Sequence, residues 1–239
     1  MRANHEVTVA ALALLATLGC AEDETIAITG VQPVTRMTMC MPMAAAGGML
    51  VLANDGLLDV GIVEGGYGGF VMYPMVRNNL VSMNATDDIS LLGFDIEIVL
   101  PPANQTALPL SQRSFFQPSF GGVVRPGGEV AVELTGVPRQ IAVQVGSSIT
   151  GAEVDPVQMA LRMRAVGNHA GSTVMSKFIT FPVGLCRYCL TRPVSCPEKP
   201  AKKDQVLLGS CNPAQDAAVT CCVRDKVLLC GDQVPVEGS

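Results

Sequence analysis

The stretch GLCRYCLTRPVSC (184–196) carries three cysteines, and Cys211, Cys221, Cys222 and Cys230 follow. Cysteines this dense ligate a metal, cycle between thiol and disulfide, or staple the chain. A zinc ribbon wants a second C-x-x-C at a suitable distance. Here only Cys186-Arg187-Tyr188-Cys189 has that spacing, and the adjacent Cys221 and Cys222 are poorly placed as ligands. A thioredoxin-type motif belongs to a βαβ unit, which the flanking pattern does not show. Structural disulfides are the reading that this spacing supports best.

Other groups that could do chemistry are few. Met37, Met39, Met41 and Met43 occupy every second position of RMTMCMPM. On a strand all four thioethers would share one face, with Cys40 on the other. Soft sulfur ligands select Cu(I), but methionine is also an adaptable core filler. With no histidine nearby in sequence, the core reading is favoured over a copper carrier. Beyond His5, the only histidine is His169, in GNHAG (167–171), which reads as a solvated residue of a hairpin loop. GSSIT (146–150) lacks the closing glycine of a nucleophile elbow. EGGYGGF (64–70) has no lysine after it and reads as a hairpin turn rather than a phosphate loop. Asp95 and Glu97 share one strand face, but a catalytic pair needs environments that separate the two pKa values. Asp87-Asp88 reads as a turn, with weak calcium ligation the alternative. No catalytic residue, cofactor or metal is assigned from these patterns.

The opposite end speaks to compartment. Val7 to Leu18 is an uncharged run of signal-peptide length, short of the roughly 20 residues of a membrane-spanning helix. It ends at Leu18-Gly19-Cys20, which resembles the junction of a bacterial lipoprotein signal. Thr17 departs from that pattern, where leucine is usual. The resemblance implies removal of residues 1–19 and a diacylglyceryl group on Cys20 as the new N-terminus. With Ala21 rather than Asp after the cysteine, it also implies export to the outer membrane. Residues 20–33 then read as a tether, acidic at Glu22, Asp23 and Glu24. An exported chain meets conditions in which disulfides persist. Setting Cys20 aside leaves an even eight: Cys40, Cys186, Cys189, Cys196, Cys211, Cys221, Cys222 and Cys230. Seven tail cysteines cannot all pair among themselves, so Cys40 is expected to bond to one of them.

The net charge of −5, with 15% charged residues, carries no electrostatic footprint for nucleic acid. Glycine and proline punctuate short apolar runs, the signature of an all-β sandwich. Expected strands are 49–53, 57–63, 70–76, 94–98, 130–134, 141–145 and 178–183. Asn54-Asp55-Gly56 signals a hairpin between the first two, and Arg125-Pro126-Gly127-Gly128 a turn. Residues 157–167 alternate cleanly enough to favour a strand over a helix capped at Asp155-Pro156.

The segment RAVGNHAGSTVMSKFITFPVGLCRYCL (164–190), with GGVVRPGGEVAVEL (121–134), resembles predicted lipoproteins of myxobacteria and related deltaproteobacteria. That group pairs a lipid anchor with a β-sandwich and a cysteine-rich tail, and the likeness implies no activity. The expected architecture is an Ig-like antiparallel β-sandwich over 34–184 with a disulfide-rich, loop-dominated segment over 185–239. The expected role is non-enzymatic binding or structure in the cell envelope, toward an unknown envelope or extracellular ligand. An envelope hydrolase is the alternative from a different class.

Overall fold

In the computed structural model the described residues are 24–34, 40, 52–81, 85–148, 156–191, 193–196, 202 and 206–236. The strands are β1 (Ile26–Gln32), β2 (Gly56–Asp59), β3 (Phe70–Asn78), β4 (Ile89–Val99), β5 (Ser114–Val124), β6 (Glu129–Ala131) and β7 (Leu134–Val137). Beyond them run β8 (Val157–His169), β9 (Ser172–Met175), β10 (Ile179–Cys186), β11 (Val194–Ser195), β12 (Cys221–Arg224) and β13 (Val227–Cys230). Two helices interrupt them, α1 (Val60–Glu64) and α2 (Arg139–Ser147).

Two sheets face each other across one core. The smaller runs β1-β3-β6, with β7 also on β3. The larger runs β2-β10-β8-β4-β5, with β9 added beside β8. Pairing is antiparallel within both, except that β2 lies parallel to β10. Alternation along β8 sends Met159, Leu161, Met163 and Ala165 inward. On β4 a bulge between Leu91 and Gly93 shifts the phase, so that Leu91 and then Phe94, Ile96 and Ile98 all reach the core. Gly93 is required there, since a Cβ would run into the carbonyl of Gln117. The outward face of the same strands carries Asp95 beside Arg164 (2.8 Å) and Glu97 beside Arg162 (2.7 Å). Phe178 lies under both guanidinium groups, 4.8 Å from that of Arg164 and 5.0 Å from that of Arg162.

Several expectations need correction. Residues 20–33 are not all tether: Ile26–Gln32 is a full strand of the smaller sheet, and Ile26 is wholly buried. Its apolar side chains, placed beside β3, outweigh the acidic start of the segment. The expected strand 57–63 stops at Asp59, whose side chain accepts from the amides of Gly61 (3.0 Å) and Ile62 (3.4 Å) and starts α1. The expected strand 141–145 is part of α2. Ala142, Val145 and Gly146 are buried at helical spacing, and Gly146 sits where a Cβ would come within 2.9 Å of Val60 on α1. Asn54-Asp55-Gly56 joins no hairpin, because Ala53 bridges to Val31 while β2 joins β10. EGGYGGF connects α1 to β3 rather than two strands. The boundary at 184 also fails to separate two units. β10 runs across it, and Ala214, Val219, Cys221 and Cys230 belong to the main core cluster.

The turn at 125–128 holds as read, and the hairpin loop expected over 167–171 is tighter, with Gly167, Asn168 and His169 in β8. Gly128 N–H bonds to the Arg125 carbonyl (2.8 Å), with Gly127 at φ +67°, a type II turn with proline second. Ala170 and Gly171, both at positive φ, join β8 to β9 in a two-residue hairpin.

Candidate functional site

The eight cysteines form four bonds: Cys40–Cys211, Cys186–Cys189, Cys196–Cys222 and Cys221–Cys230. Strand geometry explains the parting of the adjacent pair. On β12, neighbours point to opposite faces. Cys221 faces Cys230, directly opposite on β13, within the main core. Cys222 faces a small second cluster with Val206 and Val234, where Cys196 meets it.

Cys40–Cys211 has the longest reach, with a sequence separation of 171 and a Cα separation of 5.4 Å. It fastens the C-terminal stretch 209–217 along one end of the sandwich. That stretch finishes the hydrogen bonding of two strand edges with two consecutive residues. Gln215 mimics a strand for β3: its Oε1 accepts from Val71 N (3.0 Å) and its Nε2 donates to Val71 O (2.7 Å). Asp216 does the same for β2, donating from its amide to Leu57 O (3.0 Å) and accepting from Leu57 N on Oδ1 (2.7 Å). Asn212 adds a bond to the Gly69 carbonyl (2.6 Å). Open strand edges need such cover.

Between this strap and the sheets lies a cleft of about 600 Å3. Its floor is apolar, formed by Phe70, Met72 and Phe181, with the two rings 6.2 Å apart. Its rim carries Asn54, Asp55, Gln158, Ser210 and Asp216. No lysine, arginine or histidine stands among the described residues that line it. Although Asp216 is exposed at its edge, its carboxyl group is crowded by the strap and by β2. That desolvation raises its pKa above the ordinary value; the Leu57 amide and Gln215 oppose the rise, and the charge of Asp55 adds to it. Tyr73 forms the wall toward an adjoining hollow of about 240 Å3 that reaches Cys40 and Cys211. Burial, and the Glu133 carboxylate 3.0 Å from its hydroxyl, push the Tyr73 phenol up to about 12.

The residues singled out from sequence lie elsewhere or have other partners. Asp95 and Glu97 are each paired with an arginine across the sheet. His169 is not a solvated turn residue. It ends β8 with its side chain one-quarter exposed, and its Nε2 stands 3.5 Å from Asp87 Oδ1 without a hydrogen bond. Met37, Met39, Met41, Met43 and Cys20 lie outside the described residues. Sequence reasoning passed over Gln215 and Asp216 because nothing local marks them; their roles come from strands more than 140 residues away. It also passed over Asp59, although an Asp directly before an apolar run is a helix-start signal. This fully buried carboxylate accepts from Gly61, Ile62, Tyr188 (2.8 Å) and Leu190 (3.0 Å).

Comparison with family models, characterised proteins and solved structures returns no match.

Proposed function

We infer that this is a lipid-anchored cell-envelope protein whose sandwich binds a small neutral or cationic ligand without transforming it. The observation that carries the binding half is the cleft. Its size is that of small-molecule sites, and an apolar floor with a few polar groups at the rim is their usual lining. Carboxylates on the rim, with no cation among the described lining residues, repel anions and attract cations or hydroxyl-rich molecules. The non-enzymatic half rests on Asp216: Oδ1 is held by the Leu57 amide and Oδ2 by Gln215 Nε2 (2.9 Å). A carboxylate bonded into the frame in this way is not poised to move a proton. The anchor rests on Leu18-Gly19-Cys20, and the outer-membrane location on Ala21.

Ligand screening tests the cleft. Neutral sugars, amino acids, polyamines and anionic counterparts would be titrated by calorimetry. Binding is expected only among neutral and cationic compounds. A cation should bind more tightly as pH rises through the titration of Asp216, because its charge then builds. Gln158→Trp, at the exposed rim, should weaken binding at least tenfold while leaving the melting temperature within 2–3 °C, as expected of a surface change. Preference for anions, or turnover of any compound, would overturn the reading. The anchor has its own check. Cys20→Ser should abolish incorporation of labelled fatty acid in the producing cell and release the chain from membranes. Unchanged labelling would remove the anchor from the proposal.

A further inference from the structure

We propose that Cys186–Cys189 is an exchangeable disulfide, through which an external dithiol is oxidised at Cys189 while the other three bonds stay closed. Its two ends differ sharply in access: Cys186 is fully buried and Cys189 is exposed. An incoming thiolate therefore has one sulfur to attack. The loop between them does not need the bond to keep its shape. Asp59 holds the amides of Tyr188 and Leu190, and Arg187 makes a two-point pair with Glu64 (2.6 and 2.8 Å). Arg187 also donates to the Gly146 carbonyl (2.9 Å). The loop is thus pinned from both α1 and α2 by contacts that do not involve the sulfurs. The bond spans a separation of only three residues, against 171, 26 and 9 for the others. It constrains the unfolded chain least, so little folding stability opposes its opening. Cys40 is exposed too, but its bond is the one that constrains the chain most.

The surroundings suit a reduced state as well. Cys186 Sγ lies 3.7 Å from the Leu58 carbonyl, an acceptor ready for a thiol proton. The Asp59 carboxylate stands within 4.8 Å of both sulfurs. C-x-x-C spacing favours a reactive thiol at one end.

The exchange balances as follows. A partner thiol loses its proton, and its thiolate attacks Cys189 Sγ. The Cys186–Cys189 bond breaks, its electron pair goes to Cys186 Sγ, and that sulfur takes up the proton that the partner thiol released and points it at Leu58 O as a hydrogen bond. The partner's second thiolate then attacks its own sulfur in the mixed disulfide and releases Cys189. The partner dithiol is oxidised by two electrons, and Cys186 and Cys189 become thiols.

Graded reduction of the folded protein with dithiothreitol, then alkylation and peptide mapping, tests this. Cys186 and Cys189 should be labelled at a dithiothreitol concentration at least tenfold below that needed for the other six cysteines, with no change in the circular dichroism spectrum. In Cys186→Ser, the freed Cys189 should form a mixed disulfide with oxidised glutathione. In Cys189→Ser, the buried Cys186 should react at least a hundredfold more slowly. The double variant Cys186→Ser/Cys189→Ser should fold and melt close to the parent. Opening of Cys40–Cys211 first, simultaneous opening of all four bonds, or loss of the fold on opening Cys186–Cys189 would each overturn the proposal.

Discussion

Replacing Asp59 by alanine is expected to destabilise the protein by about 3–5 kcal/mol, combining the loss of a helix cap with buried amides left unpaired. The side chain is wholly buried and receives four backbone N–H groups from two stretches of chain some 130 residues apart. Two of them, Gly61 and Ile62, begin α1. The other two, Tyr188 and Leu190, belong to the C-x-x-C loop. Alanine leaves all four facing a small void that offers no acceptor. Asparagine should cost less, about 1–3 kcal/mol, because its oxygen can keep the partners of Oδ1 while its NH2 opposes only the Leu190 amide. Urea unfolding of the oxidised proteins measures the difference, and hydrogen exchange at Tyr188 and Leu190 locates it. A loss below about 1 kcal/mol for alanine would mean that Asp59 does not join α1 to this loop.

The other large effect is expected at the longest bond. Removing it as Cys40→Ser/Cys211→Ser should cost about 5 kcal/mol by chain entropy, because the unfolded chain regains a closed loop of about 170 residues. For a chain of this size that corresponds to a melting temperature lower by about 10–20 °C. The consequence should also be local. Cys211 anchors the strap whose Gln215 and Asp216 complete the edges of β3 and β2. Exchange at Val71 and Leu57 should therefore rise more than exchange at the centre of β8. A ligand of the cleft should lose affinity in the same variant, since the strap supplies Ser210 and Asp216 to the rim. A melting temperature within 2–3 °C of the parent would show that Asn212, Gln215 and Asp216 hold the strap without the bond.

The β class was legible because it depends on local pattern. Period-two alternation in Phe94–Ile98 and 157–167, and turn residues at 125–128 and 170–171, act within a few residues. The two misread segments, 57–63 and 141–145, are rich in valine and isoleucine, which mimic strand alternation even when wound as helix. What decided them was a neighbour: the Asp59 cap in one case, and in the other the contact of Gly146 with Val60, a residue far off in the chain. Tether and strand also look alike at 24–32, because β1 becomes a strand only by pairing with β3 some 45 residues later.

Residue types alone determined that the chain is rich in cysteine and acidic overall, with a net charge of −5. Parity directed attention to Cys40, since seven tail cysteines leave one over. Tertiary structure alone chose Cys211 as its partner, because a disulfide forms where α-carbons come within about 7 Å, and that distance is set by folding, not spacing. Tertiary structure alone also made the cleft. Its floor comes from β3 and β10, and its rim from the strap, the residues before β2 and the start of β8. A concave site assembled from segments so far apart leaves no mark on any one stretch of sequence.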